Sequence, residues 1–208
     1  MTEGEVTSRP KGTNTEKRGQ IITTALQLFT TQGFHATPTA QISREAGVST
    51  GTLFHHFKDK KTLINEIYLS IKREMAETIK KVDDTDLSDQ TRIINGLRAF
   101  IQWGLNHPRE RAFLELFYHS PDICIEVKEQ AYADFLWLEE LCRISISKGV
   151  IRDIPNSLTF PMIGHLASGI IDIAGSADPG VHVDEIIEAG LSVIWNGIRG
   201  PGSTDLDH

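Results

Sequence analysis

Hydroxyl, imidazole and ammonium groups are concentrated between Ser49 and Lys60, where the chain reads Ser-Thr-Gly-Thr-Leu-Phe-His-His-Phe-Lys-Asp-Lys. Such groups can hydrogen-bond to phosphate oxygens and to base edges. His55 and His56 are adjacent and would point in different directions on a helix, which is not a metal-ligand spacing. The chain has no Ser/His/Asp signature, nucleophile elbow, phosphate-binding loop or dinucleotide fingerprint. This chemistry indicates binding rather than catalysis, and we expect no metal and no cofactor.

Two short helices joined by a tight turn must position these groups. Thr37 suits a helix N-cap and Pro38 the first helical position. Gly47 ends the first helix where a positive φ is accessible, and Ser49 caps the second helix. The inward-facing apolar positions are Ile42, Ala46, Leu53 and Phe57. A helix, a four-residue turn containing Gly and a second helix are typical of a helix-turn-helix, whose second helix enters the DNA major groove.

These motifs resemble the N-terminal signature of the TetR (tetracycline repressor) family of transcriptional regulators. The matching positions follow in consecutive register and are Gly33-Phe-His-Ala-Thr37, Ile42, Ala46-Gly-Val-Ser49, Gly51-Thr-Leu-Phe-His-His-Phe57, Lys60 and Leu63. The match covers roughly the first third of the chain. The remainder matches only in length and helical content, so the resemblance implies an all-α regulator without implying a ligand.

The resemblance implies DNA contacts at ten residues: Thr39, Ala40, Ser49, Thr50, Gly51, Thr52, Phe54, His55, His56 and Lys60. It implies that Lys60 binds phosphate and that Thr50 meets a base edge. Phe54 stands where the family usually has Tyr, so the backbone contact of that hydroxyl is missing. Because the recognition helix has no Arg or Lys, it lacks the bidentate guanine contact. We expect readout through hydroxyls, thymine methyl contacts and water.

The charge distribution divides the chain into a basic head and an acidic body. The 208 residues carry a net charge of −7. Residues 1–61 hold eight Lys and Arg against five Asp and Glu, a net charge of +3, whereas residues 62–208 hold 13 against 23, a net charge of −10. This asymmetry is typical of a small DNA-reading domain attached to a domain that does not bind DNA.

Apolar residues recur at spacings of three and four and predict an all-α fold of about nine helices. We expect a disordered tail over 1–15, a helix-turn-helix domain over 16–60, a helical effector-binding and dimerisation domain over 61–200, and a polar tail over 201–208. One long helix is predicted from Pro121 to Lys148, which would put Cys124 and Cys142 about 27 Å apart, too far for a disulfide. No apolar run approaches the roughly 20 residues of a membrane span, and the N-terminal residues lack the apolar core of a signal peptide. The expected location is the cytoplasm.

Of the last two predicted helices, Asn156–Ala174 carries small residues along one side, which let another helix approach closely, and Asp184–Arg199 is apolar on two faces. A helix that is apolar on two faces needs two partners. One face can pack on its own core and the other on a second subunit, as in the four-helix dimer interface that the resemblance implies; the alternative is that both faces are core within one chain. The candidate interface residues are Gly164, Ala167, Ile171, Ile187, Leu191 and Ile194.

Aromatic residues are frequent in the predicted helices 5–7, where the resemblance implies an effector cavity. The candidate pocket residues are Trp103, Phe113, Phe117, Tyr132, Phe135 and His165. Each aromatic residue alone is more often core than ligand contact, and a histidine such as His165 is more often a satisfied core or interface residue than a ligand contact. Together they favour an apolar or aromatic effector.

The sequence therefore predicts a homodimeric regulator that binds a palindromic double-stranded DNA operator and represses transcription until a small molecule binds the body. Two alternatives remain at this point. One is a DNA-binding protein that acts without an effector, and the other is a helical ligand-binding or enzymatic domain with a vestigial head.

Overall fold

The computed structural model describes residues 13–178, 180 and 182–203. These residues form ten α-helices and no strand, which confirms the predicted all-α fold. The helices are α1 (Asn14–Gln32), α2 (Thr39–Glu45), α3 (Thr50–His56), α4 (Lys60–Lys80), α5 (Asp89–Asn106), α6 (Pro108–Phe117), α7 (Ile125–Ala133), α8 (Leu136–Ser147), α9 (Asn156–Gly175) and α10 (Val183–Ile198). Residues 1–12 and 204–208 of the predicted tails lie outside the described residues.

The first compact unit extends to Ile67 and contains α1–α3 with the first turns of α4. A capping box at Thr13 starts α1 at Asn14, within the segment 1–15 predicted to be a disordered tail, because Thr13 and Glu16 satisfy each other's backbone N–H groups. Pro38, not Thr37, occupies the N-cap of α2. Thr37 is fully buried and its hydroxyl donates to the carbonyl of Gly33. The core of this unit consists mainly of Ile21, Ala25, Leu28, Phe29, Ile42, Leu53, Phe57 and Leu63.

The second unit begins at Tyr68 and contains the rest of α4 with α5–α10. In its centre α9 packs against α5 and α10. The apolar residues that fill this region include Ile93, Ile101, Ala167, Ile171, Ile187, Leu191, Ile194 and Trp195.

The long helix predicted from Pro121 to Lys148 is wrong: it is broken into α7 and α8 around Asp134 and Phe135. Phe135 has φ −108° and ψ 1°, and its N–H bonds to the carbonyl of Tyr132, three residues back. Helical spacing continues across the break in the sequence, so periodicity alone could not reveal it. Cys124 and Cys142 therefore do not share a helix, although both are free thiols.

One helix also corrects the expectation that no segment approaches the length of a membrane span. Ser157–Gly175 of α9 is long and apolar enough to cross a bilayer by length and composition alone. The helix contacts α5 and α10 along one side, and large apolar side chains remain exposed along another. An apolar helix with an exposed side is what a subunit contact also requires.

Candidate functional sites

The turn between α2 and α3 is held by hydrogen bonds local to the motif. Gly47 adopts φ 69°, and Ser49 caps α3 because its Oγ accepts from the N–H of Thr52 at 3.0 Å. The hydroxyls of Ser43 and Thr50 lie 3.1 Å apart and join the two helices directly. These contacts fix the angle at which α3 is presented to its surroundings.

The outer surface of α3 is polar except for one ring. Ser49, Thr50, Gly51 and His55 are exposed, and Phe54 leaves 45% of its surface open. Five further predicted residues can be placed: Ala40 is exposed, Thr39, Thr52 and His56 are partly exposed, and Lys60 is partly buried. All ten predicted DNA contacts are therefore exposed or partly exposed.

Lys60 lies differently from what the resemblance implied. Its ammonium donates to the carbonyl of Phe34 and lies 4.3 Å from the centre of the Phe34 ring. The cation thus joins α4 to the segment after α1 instead of projecting into solvent. Two exposed cations in this region, Lys58 directly after the α3 cap and Arg44 on α2, were not among the predicted DNA contacts. Both side chains are exposed close to the polar surface of α3, so their charges are accessible to a binding partner.

The two histidines of α3 differ in electrostatic environment. Partial desolvation lowers the pKa of His56, and the charges of His55, Arg18 and Lys17 lower it further. Its Nε2 atom is buried without a hydrogen-bond partner among the described residues. A neutral ring at His56 is a poor phosphate ligand, so His55 is the better placed of the pair.

Five of the six predicted dimer residues are buried within this chain. Ala167, Ile171, Ile187, Leu191 and Ile194 are each at most 3% exposed and belong to the core of their own chain. Small residues on neighbouring helices serve this internal packing: a Cβ on Gly190 would come within 2.4 Å of Ile170, and a Cβ on Gly104 within 2.4 Å of Ile171.

The sixth predicted interface residue, Gly164, lines a cavity in the second unit. Five large apolar side chains of α9 and α10 are at least 46% exposed, and these are Leu158, Met162, Leu166, Ile173 and Val193. We call these five residues the open face. On α9 their spacing of four, four and seven residues places them in one stripe.

The cavity, which we call the α4–α9 cavity, has a volume of about 250 Å³ and is lined by α4, α5, α8, α9 and the segment 151–154. Of the six residues predicted for an effector pocket, Phe135 alone lines it. Trp103 is buried elsewhere, stacked on His107 with ring centres 5.2 Å apart. The other predicted pocket residues away from the cavity are Phe113 and Phe117, which pack on each other, and Tyr132 and His165, which are exposed.

Sequence reasoning missed Lys72 as a cavity residue, although a signal was present. Lys72, Met75 and Ile79 are spaced at three and four on α4 and all line the cavity. A lysine in register with an apolar stripe was therefore visible in the sequence. Cys142 also lines the cavity, and burial raises the pKa of its thiol to about 11, so it is an unreactive thiol at neutral pH.

Comparison with known proteins gives a consistent result. Residues 21–67 match the family model described as bacterial regulatory proteins, tetR family. The chain is 29% identical over 132 residues to the HTH-type transcriptional regulator AcrR of Shigella flexneri, and 38% identical over 96 residues to the HTH-type transcriptional regulator HbdR of Aromatoleum sp. (strain CIB). These matches cover 62% and 46% of this chain, and 61% and 34% of the two relatives. They therefore span less than two thirds of either relative.

A solved structure extends the likeness to the body. The tetR family transcription regulator from Shewanella sp. PV-4 is 29% identical and superposes with a TM-score of 0.76. The superposition covers 88% of this chain and 98% of that one. Both units of this chain thus have a counterpart in a single solved regulator.

Proposed function

Since this chain belongs to the TetR family of transcriptional regulators, we propose that it is a homodimeric repressor that binds a palindromic operator and is released by a small-molecule effector. The observation that carries the proposal is the polar outer surface of α3, held in place by the Ser49 cap and the contact between Ser43 and Thr50. A major groove accepts one helix with this kind of surface. The protein would act in the cytoplasm, by binding rather than catalysis.

In this proposal α3 reads the groove and nearby cations hold the backbone. Thr50 and His55 are exposed and can reach base edges, and Phe54 can contact a thymine methyl. We assign the main phosphate contacts to Lys58 and Arg44 in place of Lys60, whose ammonium is engaged with Phe34. Thr39 begins α2, which has no side-chain cap, so its first N–H groups can also meet phosphate.

The open face of α9 and α10 supports a homodimer. Five large apolar side chains, Leu158, Met162, Leu166, Ile173 and Val193, are each between 46% and 64% exposed. Exposed apolar side chains grouped on two neighbouring helices favour an interface, and a two-fold axis lets one such face cover its own copy. Two helices from each subunit would then form a four-helix contact.

The α4–α9 cavity supports an effector and weighs against the alternative of a protein that acts without one. The helix α4 begins at Lys60 in the first unit, and its later residues Lys72, Met75 and Ile79 line the cavity in the second. A ligand that favours one position of α4 could therefore alter DNA affinity. The size of this coupling equals its differential affinity for the two states, typically about 1–3 kcal/mol.

The test of operator binding is selection from a random double-stranded DNA library, followed by fluorescence anisotropy with the selected sequence. We expect an inverted repeat with half-sites about 10 bp apart or somewhat more. Thr50→Ala should change the selected bases, whereas Thr78→Ala, the same change on α4 in the second unit, should not. Recovery of no sequence above background, or of a single unrepeated site by a monomer, would contradict the proposal.

A further inference from the structure

The α4–α9 cavity carries charge of one sign. Its walls are mostly apolar and come from residues such as Met75, Ile93 and Phe100. Two side chains among its described lining are ionised at neutral pH, Lys72 and Arg152, and both are cationic. No Asp or Glu occurs among the described lining residues. An apolar chamber with only positive charge favours an anion over a neutral or cationic guest.

Lys72 is the cation within the chamber. Its side chain is partly accessible and lines the cavity, and its ammonium is largely buried. Within the described residues its ammonium has no ion pair or hydrogen bond, and it lies 4.7 Å from the centre of the Phe135 ring. By contrast, Arg92 in the same unit is paired with Asp83 at 2.8 Å. Desolvation without a counter-charge lowers the pKa of Lys72 to about 8.

Arg152 belongs to the rim. It is exposed, and its Nε donates to the carbonyl of Arg199 at 2.9 Å. Lys72 adjoins Phe135 at the start of α8, whereas Ile146, near the end of α8, lines the cavity eleven residues later. At about 1.5 Å per residue these two wall positions are about 16 Å apart. The chamber is therefore elongated, with Lys72 near one end and apolar surface beyond it.

We propose that the α4–α9 cavity binds a small amphiphile whose carboxylate pairs with Lys72 and whose apolar chain lies along α8. One ammonium matches one negative charge, whereas a phosphate monoester with a charge near −1.5 to −2 would remain partly uncompensated. The volume of about 250 Å³ is just below the roughly 300–1,000 Å³ of drug-sized sites, which limits the guest to a short or medium chain. This assignment rests on the proposed effector function and specifies its ligand.

Direct binding to the full-length protein without DNA tests the site separately from the regulator function. Isothermal titration with straight-chain carboxylates from hexanoate to dodecanoate is compared with the matched alcohols and amines. We expect at least one carboxylate to bind about tenfold or more tightly than its alcohol, and the amine to bind least. In Lys72→Met, whose side chain has similar length but no charge, carboxylate affinity should fall about tenfold or more while alcohol affinity is kept or improved. Lys81→Met, an exposed lysine just past the end of α4, is the matched control and should change neither.

The pH dependence gives a second readout. Of the groups that line the cavity, Cys142 stays neutral between pH 7 and 9 because burial raises the pKa of its thiol to about 11, and an arginine guanidinium stays charged. The described lining residues of α5 and α9 carry no titratable group. With the pKa of Lys72 at about 8, its protonated fraction falls about tenfold over this range. Carboxylate affinity of the wild type should fall by about the same factor, and that of Lys72→Met should not.

Several results would overturn the inference: no carboxylate in the series binds, carboxylate and alcohol bind equally, or Lys72→Met keeps the preference. Operator release distinguishes this failure from failure of the proposed function. Carboxylates that bind through Lys72 without releasing DNA would support the site and remove its role as effector site. If neutral compounds release the operator and no carboxylate binds, the proposed effector-controlled function is supported and the assignment of a carboxylate ligand is rejected.

Discussion

Replacing Lys72 by methionine should make the ligand-free protein more stable at pH 7. The wild-type ammonium is surrounded by protein and has no counter-ion among the described residues. Folding therefore transfers a charge from water into an apolar chamber, which is unfavourable. Methionine has similar length and flexibility and no charge to desolvate. This gain in an unliganded site is the expected signature of a residue kept for binding rather than for stability.

The magnitude follows from the change in the pKa of Lys72. Burial lowers this pKa from 10.5 to about 8. At about 1.4 kcal/mol per pKa unit, the difference costs the folded state about 3 kcal/mol at pH 7. Loss of the contact between the ammonium and the Phe135 ring, worth about 0.5–2 kcal/mol, opposes the gain. We expect Lys72→Met to raise the free energy of unfolding by about 1–3 kcal/mol.

The sign of the pH dependence is fixed by the direction of the change. Because the folded-state pKa lies below the unfolded-state pKa, protonation favours the unfolded chain. The penalty is complete below pH 8 and disappears as the pH rises from about 8 through 10.5. Between pH 7.0 and 9.5 the advantage of Lys72→Met over the wild type should shrink by about 2 kcal/mol.

Urea unfolding followed by circular dichroism at pH 7.0 and 9.5 measures both quantities. All proteins are compared at one concentration, since dimerisation would make apparent stability depend on it. Lys81→Met carries the same charge change at an exposed position and should leave stability within about 0.5 kcal/mol. If Lys72→Met is less stable than the wild type at pH 7, or if its advantage does not change with pH, the reasoning about a desolvated ammonium is refuted.

Three further predictions concern DNA binding and assembly. Gly51→Ala should leave the fold of the DNA-free protein intact or slightly stabilised, because a Cβ there would meet only the Ser49 Oγ at 3.7 Å and alanine favours a helix over glycine by about 1 kcal/mol. The affinity for DNA in anisotropy titrations should nevertheless fall. An unchanged affinity would mean that α3 does not lie close to the groove. Lys58→Ala should reduce the slope of log DNA affinity against log salt concentration by about one, whereas Lys60→Ala should mainly lower the melting temperature of the first unit. If Lys60→Ala instead reduces the salt slope and Lys58→Ala does not, Lys60 is the phosphate ligand. Val193→Asp should give folded monomers in analytical ultracentrifugation, because two like charges would be buried at a two-fold contact. A dimer that persists in this variant would exclude the open face as the interface.

The helix-turn-helix was predictable because its determinants are close in the sequence. Ser49 caps a helix that begins one residue later, and Gly47 supplies the positive φ two residues before it. Such signals operate within a few residues and do not depend on the rest of the fold. Thr37 was misplaced by the same reasoning: its hydroxyl bonds to the carbonyl of Gly33, a competing partner four residues back. Local chemistry allowed either arrangement.

The helices of the second unit could be predicted from the sequence, but which of their faces are buried and which are exposed could not. The two interleaved apolar stripes of α10 indicated that the helix packs against two different surfaces. Leu191 on one stripe is buried, whereas Val193 on the other stripe is 64% exposed. The pattern could not say which stripe was internal, because both have the spacing of a packed helix. Likewise Phe135 meets the cavity and Trp103 does not, although both are aromatic residues in helical patterns.

The sequence by itself determined the all-α class, the recognition motif and the separation of a basic head from an acidic body, since periodicity, caps and charge are properties of neighbouring residues. Only the tertiary structure decided which long-range partner each side chain meets. Lys60 bonds to Phe34, 26 residues away, and the ammonium of Lys72 lies 4.7 Å from the centre of the Phe135 ring in the wall of the cavity. The physical reason is that desolvation and pairing depend on everything that surrounds an atom, and that surrounding is assembled from segments far apart in the chain.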